Sequence, residues 1–154
     1  MSASIDSLDR KIIAILQKDG RTPNVEIARM LGVAEGTIRR RMEHLIAEGI
    51  IHIAAWTDPH KVGIGIVVLI NLDVDLAHLE EVAQRLLEMP CVRVVAYTTG
   101  VHDVFVEALF PSQDGLLAFM KDDLPQIPGI RKTDTSVVLQ IRKRSFEWEI
   151  PKPD

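Results

Sequence analysis

The feature that most constrains this fold is a change of hydrophobic period at Gly49. Before it, apolar residues return at helical spacing; after it, β-branched residues cluster in short runs. Leu8, Ile12, Ile15 and Leu16 make one helical stripe. Asp6 is placed to cap it, Asp9 adds a second carboxylate at its positive end, and Gly20 marks its stop. A second helix opens near Pro23–Asn24, runs through Val25, Ile27, Ala28 and Leu31, and ends at Gly32. A third begins near Ala34 and carries Ile38, Met42 and Leu45 on one face before Gly49.

Beyond Gly49, Ile50, Ile51, Ile53 and Trp56 suggest a short strand or wing. The polar, proline-broken stretch Thr57–Lys61 reads as a linker. The chain therefore divides into residues 1–56, a linker at 57–61, and a second domain at 62–154. In the second domain the order is strand, helix, strand, strand, helix, strand. Ile64–Val74 is β-rich, and Leu76, Leu79, Val82, Ala83, Leu86 and Leu87 form an amphipathic helix stopping at Pro90. Val92–Tyr97 and Val104–Phe110 are strands, a Ser112-capped helix ends near Pro125, and Val137–Ile141 reads as the last strand. This is the ferredoxin-like βαββαβ plan, with both helices on one face of an antiparallel sheet, so the fold class is α+β. Long apolar strands with one uncovered face favour a sheet-to-sheet dimer.

Two helices joined tightly at Gly32-Val33 fit a helix-turn-helix. Ala28 is small where the helices would cross, and Gly32 suits a turn needing an unusual backbone angle. With Ile38, Met42 and Leu45 turned inward, the rest of the third helix faces outward. Glu35, Gly36, Thr37, Arg39, Arg40 and Arg41 are the candidate DNA-reading residues, arginine being well suited to guanine edges and phosphates. The plain alternative is a charged run that only solvates an exposed helix. One module neutralises few phosphates, so binding to double-stranded DNA calls for two modules on a dimer.

Charge supports placing that contact at the N-terminus. The net charge is −4, yet residues 1–50 hold eight Lys/Arg against seven Asp/Glu, whereas 51–110 hold three against eight. No apolar run is long enough to span a bilayer, and the first residues lack a secretory pattern, so no membrane partner and a cytoplasmic location are expected. Cys91 is the only cysteine. It excludes an intramolecular disulfide and a cysteine metal cluster, and reads as a small buried apolar residue. No metal or cofactor is expected.

The chain resembles the Lrp/AsnC, or feast/famine, family of transcription regulators over nearly its whole length. The resemblance is carried by Ile5-Asp6 through Gln17 and Asp19-Gly20-Arg21, then Glu26-Ile27-Ala28, Leu31-Gly32-Val33, Thr37-Ile38, Arg41, Leu45 and Gly49-Ile50-Ile51. Further on it rests on Asp58-Pro59 with Gly63, the Thr99-Gly100-Val101-His102-Asp103 loop, Pro128-Gly129-Ile130 and Thr133-Asp134-Thr135. It implies a winged helix-turn-helix followed by an effector-binding domain of the RAM/ACT-like kind. It further implies pairing through the sheets, assembly from dimers to tetramers or octamers, and binding of an amino acid or related metabolite at clefts between dimers. By motif, Thr99, Gly100, His102 and Asp103 become effector contacts, with Thr133 and Thr135 as neighbouring candidates. Gly100 lets backbone approach a ligand. Asp103 can accept from an α-ammonium or instead close the turn between strands, and both roles stay open. On its residue type alone, His102 is more often a solvated loop histidine than a ligand. Three departures stand out: Ala34 replaces the family's usual serine and cannot cap, with Thr37 a partial substitute; Gly36 weakens helix propensity; Val101-His102 replaces a commoner Glu-Tyr pair.

Two other functions compete. Siroheme decarboxylases resemble the family in both domains, but here His44, His52, His60, His78 and His102 are dispersed, and Ile51-His52-Ile53 stands where those enzymes carry Ile-Arg-Arg. With no nucleophile elbow, phosphate loop or ligand cluster, the chain does not read as an enzyme. The other competitor is an architectural or constitutive repressor whose second domain only multimerises. Phe146 and Trp148 place two large aromatics near the C-terminus.

Overall fold

A computed structural model describes residues 5–151, which separate into two units. One runs to Ala55 and includes the segment from Lys143 onward; the other is Trp56–Arg142. The linker at 57–61 predicts that all of 62–154 belongs to the second domain, whereas the segment from Lys143 clusters with the helical unit. Ile150 lies against the helical core, and Arg10 Nε donates to the Pro151 carbonyl at 3.2 Å.

The helical unit contains α1 (Ser7–Lys18), α2 (Asn24–Leu31) and α3 (Glu35–Ala47). A full capping box starts α1: the Asp6 carboxylate accepts from the Leu8 and Asp9 amides, and Asp9 accepts in return from the Asp6 amide. Gly32 ends α2 at φ 69°, a left-handed angle that favours glycine. Ile12, Ile13, Ile27, Ala28, Ile38, Met42 and Leu45 form the core. The expected strand or wing at Ile50–Trp56 is not formed: these residues carry no strand pairing. β-branched residues extend the backbone, but a strand also needs a neighbour for its amides, and no described segment supplies one.

The second unit is a four-stranded antiparallel sheet of β1 (Ile66–Val74), β2 (Val92–Tyr97), β3 (Val104–Phe110) and β4 (Ile130–Val137), in the order β2-β3-β1-β4. Between the strands lie α4 (Leu79–Leu87) and α5 (Gln113–Ala118). Ser112 caps α5, which continues as a π-helical turn over Phe119–Asp123 and a 3-10 turn at Leu124–Gln126. Val68, Ile70, Leu72 and Val74 of β1 and Val104, Val106, Ala108 and Phe110 of β3 pack with Val82, Leu86, Phe119, Leu124 and Ile127. Leu69, Phe105 and Leu109 alternate onto the opposite face and are half-buried.

The apolar run predicts a last strand at Val137–Ile141, and the structure differs. The strand is Ile130–Val137, and among the described residues its only strand neighbour is β1. Arg131, Lys132 and Asp134 make it polar, as befits an edge strand, and so it does not read as an apolar run. Cys91 is half-buried against the core, and desolvation pushes its thiol above the ordinary range. Among the described residues no helix is long and apolar enough to cross a membrane, and no group of three or more His, Cys, Asp or Glu gathers as metal ligands.

Candidate functional site

The outward surface of α3 is fixed by what it buries. Ile38 and Leu45 are fully enclosed and Met42 nearly so, which turns Glu35, Gly36, Arg39 and Arg40 to the exterior. Thr37 is half-buried beside Ile38. Arg39 donates to Glu35 at 2.9 Å across one helical turn, an exposed pair that is easily exchanged for another anion. Arg41 does not join this surface. Its guanidinium turns back onto the start of α1, 2.6 Å from Asp6 and 3.1 Å from Asp9, whose side chain is only 2% exposed. Its expected place among the outward DNA-facing residues is therefore corrected. It lies on the helix face next to the inward trio, where two carboxylates await it. The Asp9 amide, with help from Arg41, holds the Asp6 carboxyl below its ordinary range. Ala34 occupies the N-cap of α3 without a side-chain hydrogen bond, so the first turn opens uncapped.

In the second unit, antiparallel pairing brings the β2–β3 loop, the end of β1 and the start of β4 to one end of the sheet. Thr99 and Gly100 are exposed there, Gly100 at φ 120°. His102 Nδ1 lies 2.6 Å from Asp73 Oδ1, so this is not a free loop histidine. Asp103 is also engaged. Its Oδ2 accepts from the Val74 amide at 2.8 Å, its own amide donates to the Leu72 carbonyl, and its carbonyl accepts from the Thr98 amide. The carboxylate thus ties the loop to the end of β1. Arg131 completes the cluster: its Nη2 donates to the Val74 carbonyl at 3.0 Å and stands 3.9 Å from Asp103.

Thr133 and Thr135 do not touch the loop through any hydrogen bond. They pair with Leu72 and Ile70 and so share the helix-facing side of the sheet. Thr133 lines a recess of about 250 Å³ with Met120, Leu124, Pro125, Ile127, Ile130, Arg131 and Lys132. The Thr135 hydroxyl lies 3.8 Å from the Met120 sulfur at the same wall. Arg131 and Asp73 were missed in sequence. Arg131 sits two residues before Thr133, which strand alternation alone would place on the same face; Asp73 needed the register of β1 against the loop.

Residues 5–46 match the AsnC-type helix-turn-helix domain, and residues 66–148 match the Lrp/AsnC ligand binding domain. An HTH-type transcriptional regulator of Pyrococcus furiosus is 41% identical over 143 residues, covering 92% of this chain and 97% of that protein. The HTH-type transcriptional regulator FL11 of Pyrococcus abyssi is 35% identical over 151 residues, with 97% and 99% covered. Among solved structures, Escherichia coli AsnC superposes with a TM-score of 0.85 at 27% identity, covering 94% of this chain and 99% of that one. A transcriptional regulator of Neisseria meningitidis in complex with L-Met superposes with a TM-score of 0.84 at 26% identity, covering 96% and 97%.

Proposed function

This chain belongs to the Lrp/AsnC family of transcriptional regulators, and from that premise we propose that it binds operator DNA through α3 as a homo-oligomer whose second unit senses an amino acid. The observation that carries the reading is the burial of Ile38, Met42 and Leu45, because it commits Arg39 and Arg40 to the exterior beside the open backbone of Gly36. With no Cβ at Gly36 and nothing within 4 Å of where one would stand, the first turn of α3 approaches a phosphate or base edge closely. Arg39 and Arg40 supply the charge.

Oligomerisation is supported by half-buried Leu69, Phe105 and Leu109 on the sheet face away from the helices. Pairing two helix-turn-helix units raises the number of phosphate contacts and gives a two-fold site. The effector class is supported by the matched ligand-binding domain and by the relative solved with L-Met. The test is fluorescence anisotropy on promoter-region fragments across a salt series, with and without each amino acid. Replacing Arg39 and Arg40 with alanine is expected to abolish sequence-specific binding and flatten the salt dependence by about two counterions, with the oligomer intact. Wild-type affinity in that variant removes α3 as the reading helix. DNA affinity that no amino acid alters removes the sensing role.

A further inference from the structure

Half of the arginines in the three helices are engaged by carboxylates of the same unit. Arg29 pairs with Glu26 at 3.5 Å, Arg39 with Glu35 at 2.9 Å, and Arg41 with Asp6 and Asp9. Residues 1–55 hold eight Lys/Arg against seven Asp/Glu, a net of one positive charge. DNA-binding surfaces commonly neutralise about 6–10 phosphates, and each takes a cation. The outward face of α3 offers Arg39 and Arg40.

The sequence has only two runs of three successive cations, at 39–41 and at 142–144. The second, Arg142-Lys143-Arg144, is exposed at every position and lies outside helix and strand. From Lys143 onward the chain clusters with the helical unit, not with the sheet. It is tied there at its far end. Ile150 lies against the core that contains Ile38, Met42 and Leu45 of α3, and the Pro151 carbonyl accepts from Arg10 Nε. Glu147 and Glu149 stand nearer that tie, so the segment is polarised, with its cations at the other end. Arg144 precedes Ile150 by six residues, a reach of at most about 20 Å. That is about the length of the 13-residue α3.

We propose that Arg142, Lys143 and Arg144 form a second DNA contact, a sequence-independent clamp on phosphates of the duplex that α3 reads. Phosphates recur along both strands whatever the sequence, so a cationic run meets them without a fixed register. The two guanidinium groups suit phosphate oxygens bidentately, and the Lys143 ammonium acts as a point charge. Base edges then fall to α3 and backbone to the terminal segment. The clamp adds affinity and salt dependence but no base discrimination.

This rests on α3 as the DNA-binding helix, so the experiment carries a control for each. Fluorescence anisotropy of the full-length protein is run across a salt series on promoter-region fragments and on a random-sequence duplex. The Arg142→Gln, Lys143→Gln, Arg144→Gln triple variant should bind both duplexes at least about tenfold more weakly at about 0.1 M salt, with the ratio between them unchanged. Its log–log salt slope should fall by about 0.9 for each phosphate released, up to about 2.7 per bound chain. Arg142→Lys with Arg144→Lys, which keeps the charge, should retain the wild-type slope. In the unaltered protein, Lys143 should be protected from acetylation by the random duplex, a readout that needs no variant to fold. If the triple variant keeps the wild-type slope and Lys143 acetylates equally fast with DNA present, the run is only a solvated surface and the clamp is overturned. The α3 assignment then still stands if the Arg39–Arg40 double alanine loses discrimination. If the triple variant loses discrimination as fully as that double alanine, the sequence-independent role is overturned. If the unaltered protein binds neither duplex at low salt, both assignments fall together.

Discussion

Three consecutive arginines on α3 meet different ends because each points a third of a turn from the last. Arg39 and Arg40 face outward, whereas Arg41 is only 30% exposed and bridges Asp6 and Asp9. Removing Arg41 leaves the Asp9 carboxylate enclosed with only the Asp6 amide as partner. Arg41→Met, which keeps the stem but drops the charge, should destabilise the helical unit by about 2 kcal/mol, measured by urea unfolding; the Arg39–Arg40 double alanine should leave stability nearly unchanged. Asp6 gives a pH signature of the same node. Its carboxyl is held below the ordinary 3.8, first by the Asp9 amide and then by Arg41. The unfolded chain thus binds the proton more readily, so the stabilisation is complete above pH 3.8 and is lost as pH falls through the lower folded value. In Asp6→Asn, acid titration of the helical unit should lose that step while the neutral-pH plateau is lower.

At the level of elements, α3 is weakened where it does its work. Its N-cap is Ala34, without a side-chain hydrogen bond, and Gly36 follows in the first turn. Ala34→Ser should stabilise the unit by about 1 kcal/mol through capping, read from the shift of the urea midpoint. Gly36→Ala should add a similar increment from helix propensity yet reduce DNA affinity, if close backbone approach is what the glycine provides. The β2–β3 loop is a second case. Asp103→Asn keeps an oxygen for the Val74 amide, whereas Asp103→Ala removes it and should cost about 1–2 kcal/mol, visible as faster amide exchange at Val74. The three helices were legible in sequence because a helix closes its hydrogen bonds locally, so stripe, cap and glycine stop all lie within a few residues. The last strand was not. Ile130–Val137 owes its pairing to β1 and carries charges suited to an edge, while the apolar Val137–Ile141 run has no second neighbour. The cluster of His102, Asp73, Asp103 and Arg131 was invisible for the same reason: it is made by antiparallel register across residues separated by tens of positions.

Across the whole molecule, the chain passes between its two units twice, after Ala55 and again after Arg142. The consequence concerns which unit depends on the terminal segment. The core of Trp56–Arg142 is drawn from all four strands and both helices, none of them beyond residue 142. The helical unit has a smaller core and adds Ile150 to it, with Pro151 accepting from Arg10. A fragment spanning 56–142 should therefore fold by itself, with the same unfolding midpoint as that unit in the full chain. Cutting the full chain after Arg142 should instead destabilise the helical unit alone, by about 1 kcal/mol for a half-buried isoleucine, read as a lower midpoint of that unit, and Ile150→Ser should reproduce most of the loss without shortening the chain. Two-probe urea unfolding, with a reporter in each unit, distinguishes the outcomes. A loss confined to the α/β unit would place the terminal segment with the sheet after all, and an unchanged helical midpoint would reduce the Ile150 contact to a surface one.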